Sequence, residues 1–524
     1  MPETTPWTVS DLQQMEQRGV SPEEIRRQLE IFRRPAPVTR LEKPCLLEDG
    51  VLTISKEDGD KLLAEWRQLA SSGRLAKFVP ASGAATRMFQ DMKSALKGLT
   101  DGSYGATADD SGVMHRLVTA LPNFPFWEQL QTLSGTGNPS LGLEPSREKV
   151  RQLLVNLLEP SGLGLATLPK GLIEFHKYES GPRSAFEEQL VEGTTYLATP
   201  GGKCRYHFTV SPEHMVAFEE SLAAARPRIE SQTGMGLEVS FSTQSPSTDT
   251  LAVDLQNHPF RLARGELLFR PAGHGSLIEN LHQFGGDIVF IKNIDNIAPE
   301  RQHDDSGHWK RLLAGKLGQL QRNVFALAER LESACTDQLV DEALDFLSEE
   351  LSVQVPRESL DPSLLTRRKV VLDLLDRPMR VCAVVRNEGQ PGGGPFWVHD
   401  AARGLTCQIV EAAQVDHEDP AQEEIWSAST HFNPTDLVCG LKSRKGEPFD
   451  LSQFIDPEMS FVTEKSHEGR SLRALERPGL WNGAMAGWNT VFVEVPLSTF
   501  TPVKTVFDLL QAEHRARQPA FESP

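Results

Sequence analysis

The residues best suited to chemistry in this chain are cations and small residues that could hold phosphate. In FVPASGAATRM, Phe78 to Met88, small residues follow a strand-like run and Arg87 stands where a helical pattern begins. Free N–H groups and the dipole at a helix start favour anions, so the segment is a candidate phosphate cradle. Small residues at such a turn also serve close packing, and the pattern fits both uses.

Two further side chains could complete an anion site. Lys170, in LPKGLIEFHKY, has a flexible ammonium that could reach a phosphate, although a solvated surface lysine fits the same fragment. Asp295 ends GDIVFIKNID, whose apolar run predicts a central strand. Open α/β sheets bind ligands beyond the carboxyl ends of their strands, where a lone carboxylate suits Mg²⁺. Capping of the next turn is the alternative for Asp295.

Two histidine-containing stretches raise separate questions. In FRPAGHGSLIENL, Gly273 and Gly275 flank His274, and glycines allow a backbone to approach a flat or charged ligand closely. This predicts binding at the segment, while a loop histidine with satisfied hydrogen bonds is the alternative. HDDSGH, residues 303–308, matches no zinc spacing, and we interpret it as a solvated helix start.

The order of elements predicts an α/β fold with a mostly parallel central sheet and helical insertions. Strand-like runs include CRYHFTV, LEVSFST, TLAVDL and DIVFIKN, followed after a helical region by RVCAVVRN, TCQIVEAAQV, DLVCGLKS and TVFVEVPL. Residues 1–70 are expected to form an N-terminal helical extension, in which Ser21, Pro22 and Glu24 are typical of a helix start. Further helical insertions are expected at about 98–165 and at 301–378.

Composition narrows the functional classes. The 524 residues carry Lys+Arg 54 against Asp+Glu 72, a net charge of −18, which disfavours a nucleic acid or an anionic membrane as partner. The polar N-terminus predicts a cytoplasmic protein, and no apolar run is long enough for a membrane span. Six scattered cysteines predict buried, reduced thiols. An anionic small substrate must therefore be captured by a local cluster of cations.

Taken together, the motifs resemble the UTP–glucose-1-phosphate uridylyltransferase and UDP-sugar pyrophosphorylase group. PASGAATRM resembles that group's glycine-rich G-G-x-G-T loop, RPAGHGSL its P-P-G-H-G-D, FIKNIDNIA its N-S-D-N strand end, and FTPVKTVFDLL its F-L-P-V-K-T-x-x-D-L-L. SFSTQSP, CQIVEAAQV and HFNPTDLV resemble shorter segments near the base and the sugar. The chain also resembles a bacterial family described only as a domain of unknown function.

The resemblance implies a GT-A-like, Rossmann-related fold that transfers a nucleoside monophosphate, UMP, from NTP to a sugar 1-phosphate with Mg²⁺. Residues 71–300 would form the nucleotide-binding half, and 379–524 the sugar-phosphate half with a closing segment. The oligomeric state stays open. The implied roles are as follows: catalysis by Arg87, Lys170 and Lys504; nucleotide binding by Ser82, Gly83, Ala84, Thr86, Gln244, Gly273, His274 and Gly275; sugar-phosphate binding by Glu411 and Asn433; metal binding by Asp295.

The sequence departs from the group's pattern in ways that leave alternatives open. Ser82 and Ala85 replace loop glycines, Ser276 replaces the acidic residue of P-P-G-H-G-D, and Lys170 lies about eighty residues beyond Arg87. A non-catalytic nucleotide or sugar-phosphate binding protein is therefore the main alternative. A glycosyltransferase fits less well, because such enzymes commonly hold the metal with Asp-x-Asp, and the neighbours of Asp295 include Asn293 and Asn296.

Overall fold

The computed structural model describes residues 7–34, 38–102, 119–133, 146–389, 392–400 and 403–515. The helices are α1 Val9–Arg18, α2 Pro22–Arg33, α3 Lys56–Ser71, α4 Gln90–Asp101, α5 Trp127–Leu133, α6 Arg147–Leu158, α7 Ala185–Leu197, α8 Met215–Thr233, α9 Leu277–Phe284, α10 His303–Ser333, α11 Asp337–Leu351, α12 Leu364–Leu375 and α13 Pro420–Ser427. Short 3₁₀ turns connect many of these elements.

The strands are β1 Leu41–Pro44, β2 Leu46–Leu47, β3 Gly50–Leu52, β4 Leu75–Pro80, β5 Glu174–Tyr178, β6 Gly181–Ser184, β7 Lys203–Thr209, β8 Gly236–Ser242, β9 Thr250–Leu251, β10 Phe269–Arg270, β11 Ile288–Lys292, β12 Val353–Gln354, β13 Met379–Arg386, β14 Gly394–Asp400, β15 Gly404–Val410, β16 His431–Phe432, β17 Asp436–Gly440, β18 Phe461–His467, β19 Arg470–Glu476 and β20 Asn489–Glu494. The predicted α/β class is confirmed.

Contacts within the chain define two compact units. Unit 1 comprises Met1–Leu69, Ser242–Ile291 and Leu312–Val495, and unit 2 comprises Ala70–Phe241, Lys292–Arg311 and Pro496–Pro524. The functional halves expected from the sequence, 71–300 and 379–524, stay predictions, because a division by contacts does not report function.

Unit 1 holds a sheet in the order β2-β3-β20-β13-β17-β11, with β16 also paired to β13. The pairs β2–β3, β3–β20 and β20–β13 are parallel, whereas β17 and β16 run antiparallel to β13. A second, four-stranded sheet has the order β1-β14-β15-β12. Val381, Val384 and Val491 are fully buried, as expected for strands covered on both faces.

The N-terminal segment packs as a helical pair, as its capping residues predict. Thr8 and Asp11 form a capping box at α1, and the Ser21 hydroxyl accepts from the Glu24 N–H at α2. Apolar residues of this segment share a buried cluster with β9, β10, the chain between them and β19: Met15, Val20, Ile25, Leu29, Phe32, Leu251, Val253, Leu267, Phe269 and Leu475. The prediction that residues 1–70 are helical misses β1 to β3, which are too short to give a clear alternating pattern.

Unit 2 is built on β4, β7 and β8, with β4 parallel to β7. Helix α7 packs through Phe186, whose ring centroid lies 4.7 Å from that of Phe208 on β7 and 5.4 Å from that of Phe218 on α8. In the same unit, Glu192 of α7 accepts from Lys77 of β4 at 2.9 Å and from Lys292 at the end of β11 at 2.6 Å. This buried triad fixes the two chain segments that lead into the candidate site.

The described parts of the predicted insertions are largely helical: α5, α6 and the last four residues of α4 fall within 98–165, and α10 to α12 fall within 301–378. Residues 103–118 and 134–145 of the first insertion lie outside the described residues. The cysteines are free, and all except Cys335 are buried, as predicted. Among the described helices, none combines the length and apolar character that crossing a bilayer requires.

Candidate functional site

The loop after β4 has the strand–turn–helix form that its sequence predicts. The Ala81 N–H donates to the carbonyl of Thr209, at the end of the neighbouring strand, at 2.8 Å. Ala85–Arg87 then form a 3₁₀ turn, and α4 begins only at Gln90. Arg87 therefore precedes the α-helix instead of occupying its first turn. Ser82, Gly83, Ala84, Thr86 and Arg87 are exposed, and a Cβ added at Gly83 would meet open space.

Lys170 lies directly beside this loop. Its N–H donates to the carbonyl of Gly83 at 3.1 Å, and the Ala85 N–H donates to the carbonyl of Leu168 at 3.1 Å. The long separation between Arg87 and Lys170 in the sequence is therefore closed in space. The chain between them leaves the loop and returns to it, as the resemblance requires.

Asp295 receives two ammonium groups on one oxygen. Lys170 Nζ lies 2.7 Å and Lys504 Nζ 3.5 Å from Asp295 Oδ2. The side chains of Lys170 and Asp295 are 12% and 13% exposed, whereas that of Lys504 is 62% exposed. Three residues that the motifs placed in one site are thus in contact within unit 2.

The segment that carries Lys504 is held by backbone hydrogen bonds, and we call residues 501–505 the C-terminal strap. The N–H groups of Thr501 and Val503 donate to Asn296 Oδ1 at 3.0 Å and to the Asp295 carbonyl at 2.9 Å. Lys170 Nζ donates to the carbonyl of Val503 at 2.9 Å. Asp508 Oδ2 accepts from the N–H groups of Lys504 and Thr505 at 2.8 and 2.7 Å.

A buried glutamine supports the turn that presents Asp295. Gln189 Nε2, on α7, donates to the carbonyls of Asn293 at 3.0 Å and Ile294 at 3.3 Å. Irregular backbone that leaves a sheet needs such partners when it is buried. The carboxylate therefore projects from a turn fixed on both sides, by Gln189 and by the C-terminal strap.

Asp295 is also the candidate Mg²⁺ ligand. Among the described residues, no group of three or more His, Cys, Asp or Glu side chains could hold a metal. Mg²⁺ is often bound by one or two carboxylates together with substrate phosphates and water, and a single aspartate next to a phosphate-binding loop fits that mode. Asp295 would therefore bind Mg²⁺ only together with phosphate oxygens of a bound substrate.

This arrangement in unit 2 is suited to binding a polyphosphate. It combines an exposed turn with two lysines that share one carboxylate, and Arg87 lies on the same turn. A phosphate group that approaches Lys504 would compete with Asp295 for its ammonium, and the exposed lysine is free to reorient toward it.

In unit 1, the glycines around His274 serve internal packing. Gly273 has a φ of 78°, and a Cβ at Gly275 would lie 2.0 Å from the carbonyl oxygen of Pro478. The expected approach of a nucleotide to these glycines stays a prediction. The His274 ring accepts from the Leu480 N–H through Nδ1 at 2.9 Å and stacks on Trp481 at 4.2 Å. Burial lowers the pKa of His274 to about 4, so the ring is neutral at pH 7.

Glu411, also in unit 1, follows β15 and begins a 3₁₀ turn. Its N–H donates to Gln414 Oε1 at 2.9 Å. Burial raises the pKa of Glu411, and a hydrogen bond from Trp481 partly opposes that rise. Trp481 therefore lies near two residues, His274 and Glu411, that the motifs had assigned to different parts of a substrate.

Asn433 and Gln244 make local hydrogen bonds within unit 1. Asn433 is buried; its Nδ2 donates to the Ala383 carbonyl at 2.8 Å, and its Oδ1 accepts from the Thr435 N–H at 3.1 Å. The amide thus shapes the turn after β16, where Thr435 has a φ of 56°. Gln244 Nε2 donates to Thr248 Oγ1 at 3.1 Å. Their expected contacts with sugar and base stay predictions.

The comparison with protein families adds a statement about the whole chain. Residues 8–515 match the model of a family described as Domain of unknown function (DUF4301). The chain belongs to this family. The expected membership in a family described as a domain of unknown function is confirmed. A comparison of the sequence with curated proteins found no match.

Solved structures similar to the DUF4301 chain come from the group that the motifs resemble. They include the uridine diphosphate N-acetylglucosamine pyrophosphorylase of Trypanosoma brucei, with 12% identity, 93% of this chain and 74% of that chain covered, and a TM-score of 0.45. A mutant UDP-glucose pyrophosphorylase of Leishmania major has 12% identity, 96% and 77% coverage, and a TM-score of 0.46. A putative UDP-N-acetylglucosamine pyrophosphorylase of Entamoeba histolytica has 11% identity, 89% and 85% coverage, and a TM-score of 0.42. No residue role follows from likenesses at this level.

Sequence reasoning missed several residues that shape these sites in the DUF4301 chain. Trp481 stands between Gly479 and Gly483 in PGLWNG, and a tryptophan among glycines is a signal that could have identified it. Gln189 carries no comparable local signal. His303, interpreted as part of a solvated helix start, begins α10 but is buried, with Nε2 2.9 Å from the Ala298 carbonyl.

Proposed function

We propose that this protein is a nucleotidyltransferase that transfers a nucleoside monophosphate, UMP, from NTP to a sugar 1-phosphate and releases pyrophosphate. The observation that carries the proposal is the meeting of Lys170 and Lys504 on Asp295, beside the exposed loop that contains Gly83 and Arg87. The proposal includes a GT-A-like arrangement of the sheet, which the motif order implies.

The chemistry requires cations more than a general base. A sugar 1-phosphate is already an anionic nucleophile at neutral pH, and its oxygen forms the new bond to the α-phosphorus. The bond from that phosphorus to the bridging oxygen breaks, and pyrophosphate leaves with the electron pair. Catalysis then consists of alignment and neutralisation of charge on the departing group.

Each cation has a distinct part in this proposal. Lys170, anchored by Asp295 and the Val503 carbonyl, orients one phosphate, while exposed Lys504 turns toward the reacting centre. Arg87 holds the triphosphate from the loop together with the backbone of Ser82, Gly83, Ala84 and Thr86. A bound Mg²⁺, held by Asp295 and phosphate oxygens, would supply further neutralisation of charge.

The altered glycine loop is compatible with this role. The side chain of Ala85, which replaces a glycine, is fully buried and leaves the exposed side of the loop clear. Gly83 has open space above its Cα, so a phosphate can approach the backbone there. The motifs also imply contacts with the sugar phosphate for Glu411 and Asn433, and with the nucleotide for Gln244, Gly273, His274 and Gly275.

The test is a screen of purified full-length protein with Mg²⁺ against several nucleoside triphosphates and sugar 1-phosphates, with pyrophosphate release as the readout. The proposal expects release that needs both substrates, with UTP as the best triphosphate. Thermal stabilisation by a triphosphate without any release would favour the binding-protein alternative. If no pair of substrates gives either pyrophosphate release or thermal stabilisation, both the enzyme and the binding-protein proposals are rejected.

A further inference from the structure

Two cysteine thiols meet at the four-stranded sheet of unit 1. Cys45 directly follows β1, Cys407 lies in β15, and their Sγ atoms are 3.3 Å apart. Both residues are buried, and both thiols are free. The contact joins two parts of the chain that are 362 positions apart in the sequence.

A small movement of Cys45 is enough to bring the two sulfur atoms to bonding distance. A disulfide bond is about 2.0 Å long, so the atoms must approach by roughly 1.3 Å. Cys407 is held within β15, where it is paired with Trp397 of β14. Cys45 lies just beyond β1, an edge strand of this sheet, and its N–H donates to the Pro395 carbonyl at 3.0 Å. Cys45 is therefore the partner that strand pairing restrains less.

A tight turn lies between Cys45 and the solvent. The backbones of Leu46 and Asp49 exchange hydrogen bonds at 2.9 and 3.0 Å, and Glu48 has a φ of 64°, which is uncommon for residues other than glycine. A Cβ added at Gly50 would lie 2.9 Å from Cys45 Sγ, and Leu46 itself is exposed. Local opening of so short an element would expose Cys45 without unfolding unit 1.

The closed turn also protects the thiol chemically. Burial raises the pKa of the Cys45 thiol, so it is protonated at pH 7 while the turn is closed. The thiolate is the reactive form, and a cysteine in water ionises more readily than a buried one. The pair therefore stays reduced in the closed state and reacts from the open state.

We propose that Cys45 and Cys407 form a redox-modification site, at which a peroxide converts the two thiols into one intramolecular disulfide. The Cys45 sulfur attacks a peroxide oxygen, the O–O bond breaks, and a sulfenic acid and one water form. The Cys407 sulfur then attacks the Cys45 sulfur, the S–S bond forms, the S–O bond breaks, and a second water leaves with the thiol proton. Two thiols and one hydrogen peroxide thus give one disulfide and two waters.

The disulfide would fasten the edge strand β1. Thr39, just before β1, donates its N–H to the Gln414 carbonyl at 2.6 Å, and the backbone of Leu41 exchanges hydrogen bonds with the Gln422 amide at 2.7 and 3.1 Å. A covalent bond at the other end of β1 would oppose detachment of the strand, because a disulfide restricts the open states of the chain. This effect does not depend on nucleotidyl transfer.

The experiment treats the folded full-length protein with hydrogen peroxide, blocks the remaining thiols with N-ethylmaleimide in denaturant, and maps unreduced peptides by mass spectrometry. We expect the wild type to give peptides cross-linked between Cys45 and Cys407, lighter by two hydrogen atoms than the free pair, and dithiothreitol to separate them. Cys407→Ala should remove the cross-link. Cys382→Ala, which removes another buried thiol of unit 1, is the control and should keep it.

Hydrogen exchange compares the oxidised with the reduced wild-type protein. We expect the amides of Thr39 and Cys45 to exchange at least about tenfold more slowly after oxidation. Exchange at both amides that is as fast as in the reduced protein would overturn the effect on β1.

Three results of the peroxide treatment would overturn the proposal. They are oxidation that stops at the partly exposed Cys335, sulfinic acid at Cys45 without a cross-link, and a cross-link that forms only in urea that unfolds the protein. Circular dichroism checks the folding of the variants, and Cys45→Ala replaces Cys407→Ala, with the same expected loss, if the latter does not fold. Pyrophosphate release is measured separately, so failure of the proposed function leaves the outcome for the disulfide unaffected.

Discussion

The Nζ atom of Lys170 lies 2.7 Å from Oδ2 of Asp295, and both side chains are largely buried. Lys504 approaches the same oxygen from the solvent side, with most of its side chain exposed. A buried ion pair loses much when one partner is removed, whereas an exposed one contributes little to stability. The two lysines should therefore respond differently to the same substitution.

Lys504→Ala should lower kcat for pyrophosphate release by about a hundred- to a thousandfold, the usual effect of removing one preorganised charged contact. The free energy of unfolding should change by no more than about 0.5 kcal/mol, because the side chain is exposed. Steady-state kinetics and urea unfolding measure the two quantities. Lys203→Ala, which removes an exposed lysine paired with Glu238, is the control. Near-normal turnover in Lys504→Ala would contradict the proposed mechanism, in which the Lys504 ammonium acts at the reacting centre.

Lys170→Ala should lower both activity and stability. It leaves the Asp295 carboxylate without its close partner and the Val503 carbonyl without its donor. Loss of one partner from a buried pair costs about 3 to 5 kcal/mol, and the residual exposure of this pair puts the expected decrease near the lower figure. Urea unfolding of Lys170→Ala beside Lys504→Ala tests the difference, and equal stabilities would contradict it.

Asp295→Asn should remove the effect of Mg²⁺ on nucleotide binding. In the wild-type protein, UTP with Mg²⁺ should stabilise more than UTP with EDTA, by an amount that follows the ratio of ligand concentration to Kd. The amide is a weaker Mg²⁺ ligand, so the two conditions should give equal melting temperatures in the variant. Thermal unfolding measures this, and an unchanged Mg²⁺ increment would show that another group holds the metal.

Glu192→Gln should be strongly destabilising. Burial lowers the pKa of Lys77 to about 8, and burial alone would raise the pKa of Glu192, but Lys292 and Lys77 hold it well below its ordinary value. Removal of the carboxylate takes away the ion pair that Glu192 makes with each of these two buried lysines, at a cost of about 3 to 5 kcal/mol. Urea unfolding tests this against Glu238→Gln, an exposed acid, for which we expect a change below about 1 kcal/mol.

His207→Asn should flatten the pH dependence of stability. Burial lowers the pKa of His207 to about 4, from 6.5. Between these values the unfolded chain binds a proton that the folded protein does not, so the wild type loses stability as pH falls, by up to about 1.4 kcal/mol per pH unit from this group. Asparagine can keep a donor for Ser240 without titrating. Urea unfolding at pH 7, 6 and 5 measures the difference, and parallel curves would contradict it.

Local patterns in the sequence predicted much of the sheet. Strands β11, β13 and β20 are short, largely apolar runs, and their positions, like that of β7, agree with the predictions. The hairpin β18–β19 was missed because β18, FVTEKSH, is mostly polar and partly exposed, which gives no core-facing alternation. Strands β1 to β3 were missed for lack of length.

No local sequence pattern predicts which residues of the site lie close to one another in the fold. The sequence suggested Lys170, Asp295 and Lys504 separately, and only the order of motifs indicated that they meet. The glycines around His274 show the opposite case, since their spacing was clear in the sequence but the close packing around Gly275 was not. Gly275 is required by the carbonyl of Pro478, a residue distant in sequence whose position depends on the β18–β19 hairpin.

The hydrogen bonds from Lys170 to Gly83 and from Ala85 to Leu168 have a consequence for how the protein can vary. They join the two ends of a long excursion of the chain, so its span is fixed whatever lies between. The entropy of closing such an excursion grows only slowly with its length. We therefore expect that added residues at an exposed turn of this stretch would cost little closure entropy and would leave the two ends of the loop in place.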